Sequence, residues 1–484
     1  MKVLQKTLSY FNSISKITFW LLFVVMIWTT FNLKRWKNAE KEGGKLIMWD
    51  ITSYYGYLPA IFIHNDLSLD FVDTDGVNYQ AKHQFWPLRL NKNLEQDDHG
   101  EIKVIKTTMG MSFMYSPFFF MAHGFAHISK YEPNGFSQPY EFFLVMSCLF
   151  YLFVGLYILR KLLLRYFSEL VTGLTLTSIL IGTNLFYYAT EDPAMSHAYS
   201  FALIIGFIYH SILYLEKYQL KNVIYLGLLG GLIVLIRPVN LLIFLFPLLY
   251  GITKGRDLVS RLELFIKKRK HILLIGALGF SVVFPQLLYW KLQTGSWVFN
   301  SYLGEGFFFG NSHVLEGLFS YRKGWLVYTP IMFFALIGTV LLFRKNKKFF
   351  FPVLVFLLIN IYVVYSWWSW WYGGSFGSRP MIDSYGLLAI PMACFYSVII
   401  KKKDLVIPIF TYGLFFLYLN QFQGWQRRTN MIHWEGMTKE AYWNVFLKSR
   451  FLKKEEWAQQ EILLQAPDEE KAKKGENEYD FNPF

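Results

Sequence analysis

Apolar runs separated by short polar segments extend along most of this chain, and their lengths predict its architecture. A helix needs about 20 mostly apolar residues to cross the hydrocarbon core of a bilayer. Runs near that length cover 14–33, 141–159, 170–189, 198–215, 272–290, 350–366, 381–400 and 405–420, and another ends at Arg344. Two shorter runs, 223–236 and 239–252, meet at Arg237-Pro238. The pattern predicts an all-α polytopic membrane protein with about eleven transmembrane helices.

Basic residues determine the predicted orientation of these helices. Clusters such as Arg344-Lys345 and Lys401-Lys402-Lys403 separate apolar runs, which is typical of cytoplasmic loops. Every cluster falls on one side if the semi-apolar segment 109–128 lies along the membrane interface instead of crossing it. We therefore expect a cytoplasmic N-terminus and an outer C-terminus.

This topology gives a predicted domain layout. Residues 1–420 form one transmembrane domain, with a long first outer loop over 34–140 that carries interfacial helices and a second outer loop over 291–325. Residues 421–484 are polar and are expected to form an outer tail. The end of that tail, from Lys471 to Phe484, has a composition typical of disorder.

Composition supports a membrane protein and excludes a nucleic-acid-binding one. Hydrophobic residues make up 54% of the chain, aromatic residues 20% and charged residues only 17%, unlike a soluble protein of this length. The net charge is +14, but the cations lie in short loops beside apolar runs, so membrane orientation explains them. Cys148 and Cys394 both lie inside apolar runs and are predicted to be buried thiols without a disulfide.

The most unusual polar residue comes shortly after the first apolar run. Asp50 lies beside Tyr54, Tyr55 and Tyr57, at the expected membrane surface. A carboxylate there is costly to dehydrate, which favours a functional role such as a general base. An ordinary loop carboxylate or a helix N-cap is the alternative interpretation.

Other ionisable and aromatic residues fall on the same predicted outer face. Such groups at a membrane edge usually face a cavity rather than lipid, so we predict an outward-facing polar cavity. Arginine and lysine suit the oxygens of a phosphate, and aromatic faces can stack on sugar rings. The alternatives are headgroup anchors and an interfacial aromatic belt. The candidates are Glu191, Asp192, His197, Arg237, Glu305, Glu316, Arg322, Lys323, Trp370, Trp371, Arg379 and Asp383.

Several short motifs, in order along the chain, carry a resemblance to a known family. They lie at 50–60, 193–199, 230–240, 318–325 and 370–380. With them the chain resembles the GT-C superfamily of membrane glycosyltransferases, on the branch of protein mannosyltransferases and lipid A aminoarabinose transferases, and in particular its uncharacterised bacterial members. The resemblance covers the chain from Asp50 to about Pro391.

The resemblance implies an inverting glycosyltransferase of the cell envelope. Such an enzyme moves a sugar from a polyprenyl-phosphate-linked donor to a lipid, glycan or protein acceptor at the outer face of the bacterial inner membrane. Asp50 matches the catalytic aspartate, and Asp192 or Glu191 matches a second acidic position. Many relatives carry an Asp-Glu pair in the first loop, whereas Ile51 follows Asp50 here. This departs from the protein-mannosyltransferase subtype.

The predicted site therefore has named roles. Arg379, Arg322, Lys323 and Arg237 are the candidates for binding the donor phosphate. The predicted cavity wall consists of Tyr54, Tyr55, Tyr57, His197, Trp370 and Trp371. No cofactor is implied, and no metal is predicted because Glu191, Asp192 and His197 lack a distinctive ligand spacing.

Two other function classes remain open from the sequence. The interruption at Arg237-Pro238 is a feature of transporters, so a transporter or flippase for a lipid-linked or anionic solute is the main alternative. A membrane-bound acyl- or phosphotransferase would depend on a site centred on His197. The expected partners are the donor, the acceptor and membrane lipids.

Overall fold

The computed structural model describes residues 13–38, 46–74, 79–91, 101–477 and 484. Within these residues the chain is mostly helical, and 7 helices are long and apolar enough to cross a membrane. They are Ile14–Lys37, Gln138–Leu163, His197–Lys217, Arg269–Thr294, Lys347–Val364, Arg379–Ile399 and Lys403–Arg428. Shorter apolar helices are Glu169–Ile181, Leu220–Ile236 and Pro238–Leu249. An all-α membrane protein is thus confirmed in outline, while the count of about eleven spans stays a prediction.

The other described helices are shorter or more polar. They are Asp50–Tyr55, Tyr57–Phe62, Phe71–Thr74, Tyr79–His83, Gly110–His127, Leu185–Thr190, Gly255–Lys267, Val314–Phe319, Trp325–Tyr328, Met332–Lys345, Lys439–Val445, Lys454–Leu463 and Glu469–Lys473. Segments of 3-10 helix occur at Arg35–Asn38, Pro238–Phe244 and Arg379–Ser384.

The segment Arg379–Ile399 is the centre of the helix bundle. In its most apolar window 89% of the residues are buried, against 11% in Arg269–Thr294 and 17% in Lys403–Arg428. Its helical part is apolar on every side, and such a helix belongs in the interior. The two peripheral helices leave their apolar side chains facing outward, as lipid-facing helices do.

The bundle has two chemically different ends. At one end, which we call the basic end, the segments around Gly251, Lys348, Tyr214 and His271 come together. The amide of Gly251 donates to the carbonyl of Lys348 at 2.9 Å, and Tyr214 Oη lies 3.3 Å from His271 Nδ1. At the opposite end, which we call the site end, His197 begins the helix that continues to Lys217. A helix of 21 residues spans about 30 Å, so the two ends lie roughly one membrane thickness apart.

The first outer segment is more structured than its weak periodicity predicted. Strands Leu88–Asn91 and Glu101–Val104 pair antiparallel, which departs from the all-α expectation. Asp73 Oδ1 pairs with Arg89 Nη2 at 2.7 Å beside this hairpin. Next, the helix Gly110–His127 packs along Gln138–Leu163, with Phe118 and Phe150 rings 5.8 Å apart. Its predicted interfacial placement stays a prediction.

The predicted helix 170–189 is broken in the structure. It ends at Ile181 and resumes at Leu185. The side chain of Asn184 donates to the carbonyl of Phe376 at 3.1 Å and accepts from Tyr385 Oη at 2.8 Å. These tertiary bonds hold Asn184 at the break, and the Thr183 hydroxyl accepts from the amide of Leu185 at 3.2 Å, a local bond that competes with the helical ladder.

The polar tail is also more ordered than predicted. The helix Lys403–Arg428 runs past residue 421, and a short helix, Glu469–Lys473, reaches into the segment from Lys471, whose expected disorder stays a prediction. Ala472 is 3% exposed and packs with the buried rings of Trp370 and Trp371. Its small side chain therefore holds this polar segment against the two rings. Residues 478–483 lie outside the described residues.

Candidate functional site

Asp50 and Arg379, which are 329 positions apart, form an ion pair at the site end. Arg379 Nη2 donates to Asp50 Oδ2 at 3.1 Å. Asp50 is the first residue of its short helix, and its side chain is 51% exposed, against 17% for Arg379. The preceding residue, Trp49, has φ of 52°, a conformation that costs a non-glycine residue on the order of 1–3 kcal/mol. Such strain concentrates at functional positions, where the surrounding structure maintains it.

A tight turn places the Arg379 side chain. Gly377 has φ of 57°, and a Cβ atom built there would lie 2.9 Å from the Cβ of Tyr328. Only glycine fits both the conformation and the close approach. The 3-10 segment Arg379–Ser384 starts two residues later and continues into the central helix. The guanidinium is therefore attached to the most deeply buried element of the fold.

A second carboxylate in the same segment is fully enclosed. Asp383 is 3% exposed, and it accepts from Asn240 Nδ2 at 2.9 Å and lies 3.0 Å from His197 Nδ1. Arg237 Nε lies 3.6 Å from the same Oδ2 atom that Asn240 contacts. Buried charges need such partners, and this one ties three separate helical segments together.

Tyr372 and Tyr54 lie near the two ion-paired arginines, Arg237 and Arg379. The Arg237 guanidinium is 6.0 Å from the ring centre of Tyr372. Burial raises the pKa of Tyr372 to about 12, against the opposing effect of Arg237 and Arg379. Burial and the Asp50 charge raise the pKa of Tyr54, while the same two arginines lower it. Both phenols therefore stay neutral donors beside two cations.

This arrangement has a defined chemical capacity. One half-exposed carboxylate can accept a proton, and guanidinium forks beside it can bind phosphate oxygens. Arg237 is already balanced by Asp383, whereas among the described residues the ion-pair partner of Arg379 is the half-exposed Asp50. An incoming anion can therefore replace Asp50 on Arg379 without breaking the buried network.

The predicted phosphate ligands Arg322 and Lys323 occupy a neighbouring place, beneath the C-terminal tail. Lys323 Nζ donates to the carbonyls of Ser375 and, at 2.5 Å, of Trp434. Burial holds the pKa of Lys323 well below its usual range, and Arg427 lowers it further. Arg322 is 1% exposed and donates to the Glu435 carbonyl at 3.3 Å. In the structure both cations bind the tail, so their role toward a phosphate stays a prediction.

The second acidic position lies at a cavity whose lining does not include Asp50 or Arg379. Glu191 pairs with Arg428 at 3.2 Å, and burial raises its pKa. Both residues line a cavity of about 300 Å³ between the first and last long helices, with Trp28 and Trp425 on its wall. Asp192 is close enough to Glu191 to raise its pKa.

Only part of the predicted cavity wall lies near Asp50. Tyr54 does, since the Asp50 charge raises its pKa, whereas His197 is buried against Asp383 and Arg237. Tyr55, Tyr57, Trp370 and Trp371 are each at most 1% exposed and belong to the packed core. Their polar atoms have structural partners: Tyr57 Oη donates to the Thr107 carbonyl at 2.8 Å, and Trp371 Nε1 donates to Glu435 Oε1 at 2.8 Å.

Two network residues, Asp383 and Asn240, received no role from the sequence. Asp383 was counted only among the outer charges, although its position four residues after Arg379 near the start of a span was a usable signal. Asn240 is an ordinary amide in an apolar run, and nothing local marks it. Glu305, in contrast, pairs with Lys106 at 2.6 Å.

The described residues contain no group of 3 or more His, Cys, Asp or Glu side chains placed to hold a metal ion. Cys148 and Cys394 are both free and buried, as predicted.

Comparison of the chain with protein-family models, curated proteins and solved structures finds no match in any of the three. The GT-C resemblance therefore stays a prediction that rests on the short motifs.

Proposed function

We propose that the protein is an inverting glycosyltransferase that takes a sugar from a polyprenyl-phosphate-linked donor. The observation that carries the proposal is the Asp50–Arg379 ion pair. A second arginine, Arg237, has its guanidinium 6.0 Å from the ring centre of Tyr372. It joins a half-exposed carboxylate to a cation at one end of a membrane bundle. The acceptor is a lipid, glycan or protein hydroxyl.

In the proposed reaction, Asp50 removes the proton from the acceptor hydroxyl as its oxygen attacks the anomeric carbon. The bond from that carbon to the phosphate oxygen breaks, and the polyprenyl phosphate leaves with the electron pair. Arg379 leaves Asp50 to bind the phosphate, and Arg237 adds a second positive charge. A single displacement with one base inverts the anomeric carbon.

The proposed orientation places this chemistry at the outer face of the bacterial inner membrane. Support comes from the separation between the site end and the basic end, since basic loops face the cytoplasm. The cavity beside Glu191 opens between peripheral helices, which suits a ligand with a long apolar chain.

The test compares two exposed, ion-paired carboxylates of the first outer segment. Membranes containing Asp50→Asn are assayed for sugar transfer from a panel of polyprenyl-phosphate sugars, with Asp73→Asn as the control. Loss of a general base is expected to lower the rate about 10²–10⁴-fold. The Asp73→Asn variant should keep wild-type activity. Full transfer by Asp50→Asn would show that Asp50 is not the base.

A transporter or flippase is the second candidate, favoured by one specific observation. The helix Leu220–Ile236 stops at Arg237, and the chain continues as a 3-10 segment from Pro238. Interrupted helices with a charge at the break form substrate sites in transporters. Substrate-dependent flux in proteoliposomes without any glycosylated product would favour this candidate over the transferase.

A further inference from the structure

The helix Gly255–Lys267, at the basic end, is amphipathic and has no buried residue. Its apolar side chains Val259, Leu262 and Ile266 recur at helical spacing and are 57%, 48% and 67% exposed. Three aligned, exposed β- and γ-branched side chains form an apolar stripe that nothing in the described chain covers. Such a stripe needs an apolar neighbour, because leaving it in water costs roughly 25 cal/mol per Å².

The rest of the helix faces two other directions. Arg261 points toward the bundle, and its guanidinium donates to the carbonyls of Pro247 at 2.5 Å and Tyr250 at 2.7 Å. Ser260 is exposed on the side of the helix opposite Leu262, whereas the exposed Glu263 lies at the edge of the stripe, four residues after Val259. The Arg261 bonds fix how the helix is rotated about its axis, so the stripe has a defined direction.

Cations outnumber acidic residues around the stripe, where the two carboxylates are Asp257 and Glu263. The helix leads directly into the apolar helix Arg269–Thr294, which is one of the candidate membrane spans. Lys268 Nζ lies 5.0 Å from the ring centre of Tyr218, which keeps this junction against the bundle. Besides Arg261, which bonds to the bundle, the cations in and around the helix are Lys254, Arg256, Lys267, Lys268, Arg269 and Lys270.

We propose that Gly255–Lys267 is an anionic-phospholipid-binding helix that lies in the plane of the membrane. Its stripe is buried among acyl chains, and the flanking cations bind the phosphates of anionic headgroups. Two features on the same element select this occupant. An amphipathic helix with lysine and arginine beside its apolar face partitions into the boundary between headgroups and acyl chains. Continuity with a membrane span holds it at that depth.

The first experiment asks what the stripe contacts. The full-length chain, with Cys148 and Cys394 replaced by alanine, carries Leu262→Cys or the control Ser260→Cys, which lies on the opposite side of the helix. Each cysteine is labelled with bimane in nanodiscs of equal phosphatidylglycerol and phosphatidylcholine. Doxyl-labelled lipid should quench the Leu262 label at least about twofold more than the Ser260 label, and iodide should do the reverse.

Two outcomes would overturn the proposal. Equal quenching of both labels by iodide would place the stripe in water. Protection of the Leu262 label from both quenchers, appearing only in discs with two protein copies, would mean that a second copy covers the stripe.

The second experiment asks whether the headgroup charge matters. Arg256, Lys267 and Lys270 are replaced by glutamine, and the control replaces the exposed Lys439, Lys454 and Lys474 of the tail. In the unmodified background, doxyl-phosphatidylglycerol should quench the Leu262 label several-fold more than doxyl-phosphatidylcholine. That preference should fall toward unity in the helix variant only. An unchanged preference would refute anionic-lipid binding by this helix, whatever the enzyme activity of the protein.

Discussion

Asp50 and Asp383 are two carboxylates at the same end of the bundle, each beside an arginine, yet their surroundings are opposite. The Asp383 side chain is 4% exposed and is shared by Arg237, His197 and Asn240. The Asp50 side chain is 51% exposed, and its ion pair is with Arg379. The comparison separates a carboxylate with several buried partners from one whose partner can be exchanged at the surface, as the proposed function requires.

The physical reason lies in what each charge loses when it is disturbed. A buried ion pair contributes little net stability while intact, but breaking it leaves an uncompensated charge away from water. When a half-exposed ion pair is broken, water hydrates both charges, so breaking it costs little free energy. The proposed function therefore assigns the chemistry to the exposed pair, and the buried pair is expected to stabilise the fold.

The largest expected effect comes from Asp383→Asn. Removing this charge leaves Arg237 unbalanced and should lower the free energy of unfolding by about 3–5 kcal/mol, measured by denaturant titration in mixed micelles. The control is Asp383→Asn combined with Arg237→Met, which removes both charges and should recover part of the loss. A double variant no more stable than the single one would contradict the charge argument.

Arg379→Gln tests the other half of the comparison. Transfer activity should fall on the order of 10²–10³-fold, because one positive donor to the leaving phosphate is lost. The free energy of unfolding should change far less than in Asp383→Asn. Arg379→Lys keeps the charge but loses the planar guanidinium, so its kcat should lie between those of the wild type and Arg379→Gln. If Arg379→Gln mainly lowered the free energy of unfolding, Arg379 and Arg237 would not differ in role.

A pH-dependent effect is expected in the tail that covers Lys323. Burial, with Lys323, Arg427 and Arg322 adding to it, lowers the pKa of His433 to about 4, and its Nδ1 accepts from the amide of Gly436 at 2.8 Å. An unfolded histidine has a pKa near 6.5, so between about pH 6.5 and 4 the unfolded state binds the extra proton. Folding stability should therefore fall as the pH is lowered through that window.

His433→Asn keeps an acceptor without this titration and should flatten the dependence, as followed by thermal unfolding at a series of pH values. An equal slope in the variant and the wild-type protein would exclude His433 as the titrating group.

The smallest expected effect is that of Asp73→Asn. Asp73 is 41% exposed and pairs with Arg89 and Lys103. Arg89 also pairs with Glu101, and Lys103 with Asp70, so both cations keep a partner. The free energy of unfolding should change by less than about 1 kcal/mol. A loss as large as that of Asp383→Asn would show that exposure does not separate the two classes of carboxylate.

The sequence predicted the parts of this site that depend on local pattern. Asp50 and Arg379 were both chosen as candidates from their neighbours, and the structure places them 3.1 Å apart. Tyr55, Tyr57, Trp370 and Trp371 had the same local signals but point into the core. A residue beside a membrane surface can face either way, and only packing against distant helices settles which.

Hydrophobic run lengths and basic loops by themselves determined that the chain is a helical membrane protein, because the bilayer imposes one length on every span. They also predicted which end of the bundle carries the candidate site. Only the tertiary structure decided that Asp383 gathers three segments while Lys323 binds the tail. Those pairings join residues more than fifty positions apart, and burial selects among the possible partners by the cost of leaving a charge unpaired.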